Sequence, residues 1–299
     1  MTTNQFPLPS PPGRFQSPRF AAIRRGFWPV VITLALALFA ATMALPLFWM
    51  LSTSLKTEPE IYLIPPSLFP RAPIWSNYAT AFSVIPYWRM LLNSSTVALT
   101  VRVSRVFTST LAGFAFARLE FPGRDKLFLM YLAVLMVPFT VTMIPLYIIV
   151  RNLGWLDSMS ALIFPMFVSA YNTFLARQFM LSLPRDFDDA ARIDGANPWV
   201  IYTQVILPLC RPVISVIALF SFMTSWNSFI WPLLVLSSRE MLTIPIGLAI
   251  IASGNGSGDY IQWNYLMAAA TATALPIITL FLIAQRQFVR GIAMSGLRG

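Results

Sequence analysis

Residues 183–212 read LPRDFDDAARIDGANPWVIYTQVILPLCRP, a polar insertion between two membrane-length apolar runs. Four of the chain's eleven acidic residues fall within nine positions here: Asp186, Asp188, Asp189 and Asp194. The stretch carries the start and stop signals of two short helices. Asp186 is expected as an N-cap, with Asp189 three residues later in a capping-box-like relation. The early aspartates suit the positive end of a helix dipole, and Asp188 stands four residues before Arg192, the favourable order for a pair. Gly195 is expected to close this helix in a left-handed conformation. Asn197 then caps a second helix, with Pro198 at its first position, running to about Pro208.

The flanks decide the class. A length of 299 residues would allow one or two soluble domains, but the chain is 57% hydrophobic and 11% charged, with mean hydropathy +0.68. Apolar runs of membrane-spanning length recur along it. The expected fold is all-α, a polytopic membrane protein with six transmembrane helices at about 27–50, 90–117, 127–150, 159–180, 213–236 and 265–284. Residues 1–26 are rich in Pro and Ser, carry Arg14, Arg19, Arg24 and Arg25, and read as a disordered tail. The first span is too long for a signal-peptide core. A transmembrane domain over 27–290 and a short tail at 291–299 complete the expected organisation.

Six spans put both termini on one side. Outside the spans, fourteen Lys and Arg residues fall on the side of the two tails, the 118–126 loop and the 177–211 region, and five on the other. Cytoplasmic loops collect basic residues, so both termini and the opening stretch are expected in the cytoplasm. The net charge of +10 follows from this placement and is no sign of nucleic acid. Small residues recur at spacing four (Ser109, Gly113 and Ala117; Ala268 and Ala272), which lets helices approach closely in lipid. Prolines inside spans, Pro46, Pro138, Pro145, Pro165 and Pro276, imply kinks.

Enzyme signatures are missing. There is no histidine, the commonest metal ligand and general base. Cys210 is the single cysteine. The two lysines, Lys56 and Lys126, do not follow glycine, so there is no phosphate-binding loop with which to hydrolyse ATP. GNGSGD at 254–259 reads as a flexible loop. No cofactor and no metal are expected on this chain.

Three readings of the 183–212 stretch compete. A membrane-surface connector would usually carry Lys and Arg on its polar face, whereas this one is acidic. A DNA-reading helix–turn–helix would set four aspartates beside phosphate, with membrane on both sides. A protein-docking helix would present Phe187, Ala190, Ala191 and Asp194 on one face, with an aromatic anchor and carboxylates for a basic rim. On residue chemistry alone, docking and the connector stand level.

The segment DDAARIDGANPWVIYTQVILPL resembles the signature loop of binding-protein-dependent ABC importer permeases: Glu-Ala-Ala, Gly four residues on, then a hydrophobic-x-Leu-Pro close. The match is Asp189-Ala190-Ala191, Gly195 and Ile206-Leu207-Pro208, with Asp189 in place of the usual Glu. Further family-like pieces are Ser54-Leu55-Lys56, Leu92-Asn93-Ser94, AFARLEFPGR at 115–124, Ile144-Pro145-Leu146-Tyr147 and Gln178-Phe179 before Leu183-Pro184. Trp226-Asn227, Trp231-Pro232 and QRQFVRGI at 285–292 continue the series. The similarity runs from about residue 28 to the end and is nearest to the shorter, six-span partner of the maltose-type carbohydrate-uptake pair. One departure is Gly296-Leu297-Arg298-Gly299 where many relatives have Gly-Ala-Val-Lys-Gly.

The resemblance implies that residues 184–208 form a coupling helix region seated in an ATP-hydrolysing subunit, with Phe187, Asp189, Ala190, Ala191, Asp194 and Gly195 as contact and turn residues. It further implies two nucleotide-binding subunits holding ATP and Mg, a second permease, an extracytoplasmic solute-binding protein, and a bacterial or archaeal plasma membrane. The implied cargo is a sugar or sugar-like solute.

Candidate contacts to the cargo are less sharply marked. Trp226, Asn227 and Trp231 offer stacking faces and an amide, although interfacial or packing roles are commoner for tryptophan. Asn172, Thr140 and Thr142 are polar positions within spans. Arg102 and Arg105 lie three apart on one face of a span, where arginine is costly unless it meets a cavity or a partner. They could attract an anionic, glycerol-phosphate-type solute. The alternatives are a carboxylate on the partner permease, or snorkelling to the cytoplasmic interface about three turns away. A stand-alone transporter driven by an ion gradient is the competing class; it would show mid-span acids or half-chain repeats with broken helices.

Overall fold

The computed structural model of the chain describes residues 18–254 and 260–295, and the GNGSGD reading, apart from Gly254, lies outside them. Among these residues the chain is all-helical. The helices are α1 (Pro18–Ser54), α2 (Glu58–Ile61), α3 (Ser76–Val84), α4 (Tyr87–Arg118), α5 (Arg124–Ala133), α6 (Phe139–Asn152) and α7 (Met159–Ile163). They continue with α8 (Ala170–Leu181), α9 (Asp186–Ile193), α10 (Pro198–Leu209), α11 (Arg211–Trp226), α12 (Ile230–Val235), α13 (Ile244–Ala252) and α14 (Trp263–Ser295). Residues up to Trp49 form one unit and residues from Met50 another. The first is the apolar body of α1, whose stretch Trp28–Ser54 is long enough to cross a bilayer.

In the second unit α4 is the central rod. Its 32 residues would reach about 48 Å at 1.5 Å per residue. Ser109, Gly113 and Ala117 make its smooth face, and all three are buried. Against that face lies α8, so close that a Cβ on Gly113 would sit 2.7 Å from the Ala176 Cβ and 3.0 Å from the Arg177 nitrogen. The small-residue spacing therefore does what lipid-embedded packing requires, bringing two backbones together. α11 packs on another side of α4, and α14 packs on both α11 and α3. Around the C-terminal end of α4 the core is Phe114, Ala117, Met180, Tyr202, Ile206 and Ile217. Thr110 and Tyr202 share a buried hydroxyl contact of 2.9 Å there.

Three expected spans differ from straight helices. The segment expected at 127–150 breaks into two limbs, Arg124–Met136 and Phe139–Asn152, that meet at 98°. Pro138 explains the break: it lacks an N–H, and it forces the preceding residue out of the helical region. Val137 is accordingly extended, at φ −89°, ψ 115°. The segment expected at 213–236 ends as a helix at Trp226, and a separate short helix, α12, begins at Ile230. Pro232 falls in the first turn of α12, where a missing N–H leaves no bond unmade. The segment at 159–180 opens with a single helical turn and a 3₁₀ turn around Pro165 before α8 begins, and the whole of Met159–Leu181 has the length and hydropathy of a span.

The segment after residue 236 is read from sequence as a Gly/Ser loop. It contains α13, whose buried residues Ile244, Ile246 and Ile251 pack into the core around the N-terminal half of α4. Two clasps hold it. The Asn93 amide donates to the Glu240 and Leu242 carbonyls at 2.7 and 2.9 Å. One Asp157 carboxylate oxygen accepts from the backbone N–H groups of Ser237 and Ser238, both at 2.9 Å. Those donors hold the Asp157 carboxyl below the usual carboxylate range. Asp157 itself is left-handed at φ 55°, a conformation that short polar side chains tolerate.

Candidate functional site

The 183–212 stretch folds largely as its local signals dictate. α9 ends in a Schellman motif: the Ala196 N–H donates to the Ala191 carbonyl at 2.9 Å and the Gly195 N–H to that of Arg192 at 3.0 Å. Gly195 sits at φ 79°, where L side chains rarely go. The Asn197 side chain accepts from the Val200 N–H at 2.9 Å and caps α10. Inside α10, residues 201–206 open into a π-turn before α11 departs at 80°.

The start of α9 differs from expectation. Asp186 is the first helical residue and the cap position falls on Arg185, with no side-chain cap bond. The Asp188 and Asp189 N–H groups are instead taken by the Arg185 carbonyl, at 2.8 and 3.1 Å. Arg192 pairs with Asp189 at 3.3 Å rather than with Asp188. Asp188 turns inward: its side chain is 5% exposed and lies 3.3 Å from the guanidinium of Arg118, which is 3% exposed. Arg118 is the last residue of α4, and its Nη2 also donates to the Leu183 carbonyl at 3.0 Å. The pair lacks hydrogen-bond alignment, so both Asp188 oxygens have only the charge of Arg118 to offset burial.

The outward face of α9 is then clear. Phe187, Ala190 and Asp194 are exposed together, as expected. Ala191, expected beside them, points inward and packs against the core with Ala196. Two further apolar groups are exposed that were not anticipated: Ile193 on α9, 87% exposed, and Trp199 at the start of α10, 55% exposed. The carboxylates of Asp186, Asp189 and Asp194 are exposed among them. Three-residue spacing from Phe187 through Ala190 to Ile193 is the signal that could have found Ile193. Beside α9 a polar cavity of about 430 Å³ is lined by Glu120, Arg124, Asp125, Lys126 and Arg185.

The candidate cargo contacts separate into two groups. Arg105 and Trp231 line one cavity of about 390 Å³, with Phe139, Thr243 and serines of α11 and the loop after it. Arg105 is 9% exposed; its Nε donates to the Met166 carbonyl at 2.7 Å, and Nη2 lies 3.4 Å from the Met166 sulfur. The Trp231 indole donates to the Ala161 carbonyl at 2.9 Å and presents an edge to Phe139. The other candidates lie elsewhere. Trp226 is buried and stacks on Phe222, a packing role. Asn172 donates to the Ser221 hydroxyl at 2.8 Å, joining α8 to α11. Asn227 ends α11, Thr140 and Thr142 are exposed on α6, and Arg102 is half-buried one turn from Arg105. Thr243 has no sequence signal except its place just before an apolar helix.

Residues 109–294 match the family model described as the binding-protein-dependent transport system inner membrane component. The arabinooligosaccharides transport system permease protein AraQ of Bacillus subtilis (strain 168) is 32% identical over 286 residues, covering 95% of this chain and 99% of that protein. The sn-glycerol-3-phosphate transport system permease protein UgpE of Escherichia coli O1:K1 / APEC is 34% identical over 268 residues, covering 87% and 94%. Among solved structures, a bacterial ABC transporter involved in the import of the acidic polysaccharide alginate aligns with TM-score 0.75 and 21% identity, covering 93% of this chain and 100% of that one. That last likeness concerns the fold.

Proposed function

The chain belongs to the family of binding-protein-dependent transport system inner membrane components, the permease subunits of ABC importers, and from that premise we propose how this one works. It forms half of a translocation pathway for a sugar or sugar-like solute. It takes the thrust of ATP-hydrolysing subunits through residues 184–208. In this reading both termini and α9 are cytoplasmic, as the Lys and Arg distribution supports. Two nucleotide-binding subunits hold the ATP and Mg, a second permease completes the pathway, and a solute-binding protein delivers cargo to the outer loops. The membrane is the plasma membrane of a bacterium or archaeon. The name of the arabinooligosaccharide relative supports a carbohydrate cargo.

One observation carries the coupling role. α9 is anchored from below and free above: Asp188 is held against the last turn of α4, while Phe187, Ile193 and Trp199 stand exposed over it. Exposed aromatic and aliphatic side chains ringed by carboxylates suit a partner with an apolar pocket and a basic rim. A push on that face enters α4 through Arg118, and α4 is a single rod up to the outer clasp at Asn93.

The test is to make Phe187→Ala and Ile193→Asp and purify the importer. Neither side chain is buried, so the chain should still fold. Loss of a central apolar anchor costs about 2 kcal/mol or more, roughly thirtyfold in affinity. The ATPase subunits should therefore co-purify poorly and solute uptake should fall. Undiminished co-purification together with undiminished ATP-driven uptake would remove α9 from the interface.

A further inference from the structure

Arginine inside a membrane protein needs a partner, and the partners found by Arg105 are incomplete. Its guanidinium has five N–H donors, of which a carbonyl and a thioether, both of Met166, take two. Among the described residues no carboxylate lies within ion-pair distance of it. The residue is nine-tenths buried, and the side of it that is not packed lines the 390 Å³ cavity. A buried positive charge with unmet donors is stabilised by an anion that enters from outside the chain.

A second, independent group on the same cavity is also unmet. Thr243 is 4% exposed, and its hydroxyl has no hydrogen-bond partner. It precedes α13, where a threonine hydroxyl would ordinarily cap the first free N–H groups. Here those groups are otherwise disposed. The Ile244 N–H donates to the Ser94 hydroxyl at 2.9 Å, Pro245 has none, and the Ile246 N–H returns to the Thr243 carbonyl at 3.1 Å. Thr243 lines the cavity with its hydroxyl buried and unpartnered. Ser225 and Ser228 add further hydroxyls, and Phe139 and Trp231 supply an apolar wall.

We infer that this cavity is a subsite for an oxyanion on the cargo, a phosphate or carboxylate group carried by a sugar-like solute. Arg105 supplies the charge, Thr243 a hydroxyl bond, and the Phe139–Trp231 wall the contact for the carbon skeleton. Its volume lies in the range of small-molecule pockets, and its few polar groups converge in the way that fixes one end of a ligand. The donors are indifferent to the identity of the oxyanion, since guanidinium pairs with both phosphate and carboxylate. This assignment rests on the importer reading above and narrows its substrate class.

The experiment uses the assembled importer in liposomes with ATP inside and its solute-binding protein outside. Uptake and probe-stimulated ATP hydrolysis are read for glucose 6-phosphate, galacturonate, sn-glycerol 3-phosphate and neutral glucose. Direct binding of each probe to the importer without the binding protein is read by thermal shift. In the wild type at least one anionic probe should bind the importer and be carried. Arg105→Gln should weaken its binding about tenfold or more, the loss expected for a charged hydrogen bond. Any binding of glucose should change little.

Arg105→Lys should restore part of the anion binding, and Thr243→Val should weaken it several-fold while leaving the charge in place. Success with phosphates alone or with galacturonate alone names the oxyanion; both support the subsite. Equal loss for charged and neutral probes in Arg105→Gln overturns it, as does a wild type that carries only glucose. Failure of the Arg105→Gln complex to assemble, with Thr243→Val indistinguishable from wild type, also overturns it and gives Arg105 to the partner permease. If no probe and no natural extract is carried in an ATP-dependent way, it is the importer reading that fails.

Discussion

The guanidinium of Arg118 lies 3.3 Å from the carboxylate of Asp188, and both side chains are at most 5% exposed. The contact joins the last residue of the 32-residue helix α4 to the first turn of α9. An ion pair so deeply buried is held at high cost in desolvation, and the cost is compensated only while both partners are present.

Arg118→Met or Asp188→Leu alone should therefore destabilise the protein by about 3–5 kcal/mol, the usual result of stranding one buried charge. The double variant should recover most of that loss. If stability is all the pair provides, transport should recover with it. If the pair carries thrust into α4, thermal melting should recover while ATP-driven uptake stays low. Additive damage in the double variant would show that the two side chains do not depend on one another.

The approach of α4 to α8 gives a second expectation. Gly113→Ala should force the helices apart, because the new methyl would meet Ala176 at 2.7 Å and backbone at 3.0 Å. Overpacking of this kind costs about 1–3 kcal/mol. Adding Ala176→Gly should return part of it, measured as the melting temperature of the purified complex. A Gly113→Ala protein that melts like wild type would mean that the helices have slack.

Gly195 should rank its replacements by backbone freedom. Nothing lies within 4 Å of a Cβ built there, so steric crowding is absent and only the φ of 79° matters. Asn should be tolerated, Ala should cost about 1–2 kcal/mol and Val more. The readout is the ratio of solute carried to ATP hydrolysed, since this turn aims α9 relative to α10. Equal behaviour of Asn, Ala and Val would sink the argument.

The Asp157 clasp should respond to acid in one direction only. Its carboxyl is held below the ordinary value of 3.8 by the Ser237 and Ser238 N–H groups. The stability it contributes is thus fully present above that value and is lost as pH falls through the lower folded-state value. Hydrogen exchange at the Ser237 and Ser238 amides should stay slow down to about the unfolded value and quicken below it. Asp157→Asn should flatten that dependence. Exchange that quickens well above 3.8 would point to another group.

What was legible in the sequence was local. Gly195, Asn197 and Pro198 signal a turn and a cap through their own backbone preferences, and the chain folds that way. The spacing of Ser109, Gly113 and Ala117 likewise reports a packing face without knowledge of what packs there. Asp188 was misread because its burial depends on Arg118, seventy positions earlier, which looked like one more basic loop residue. Pro138 announced a kink through its missing N–H, though not its size of 98°. The helix end at Trp226, by contrast, falls at Asn227 and Ser228, inside a run that is otherwise apolar on both sides. Arg105 could be flagged from its place in an apolar run, but its cavity needed Thr243 and Trp231, which arrive from segments more than a hundred residues away.

The bend at Val137 and Pro138 also bears on assembly. Backbone groups freed inside a bilayer are tolerated only against protein or trapped water. Yet Val134, Leu135, Met136 and Val137 are at least 47% exposed on this chain. If the bend lies within the bilayer, as the importer reading has it, its freed carbonyls need protein or water beside them, and these exposed side chains mark where a second surface would close over it.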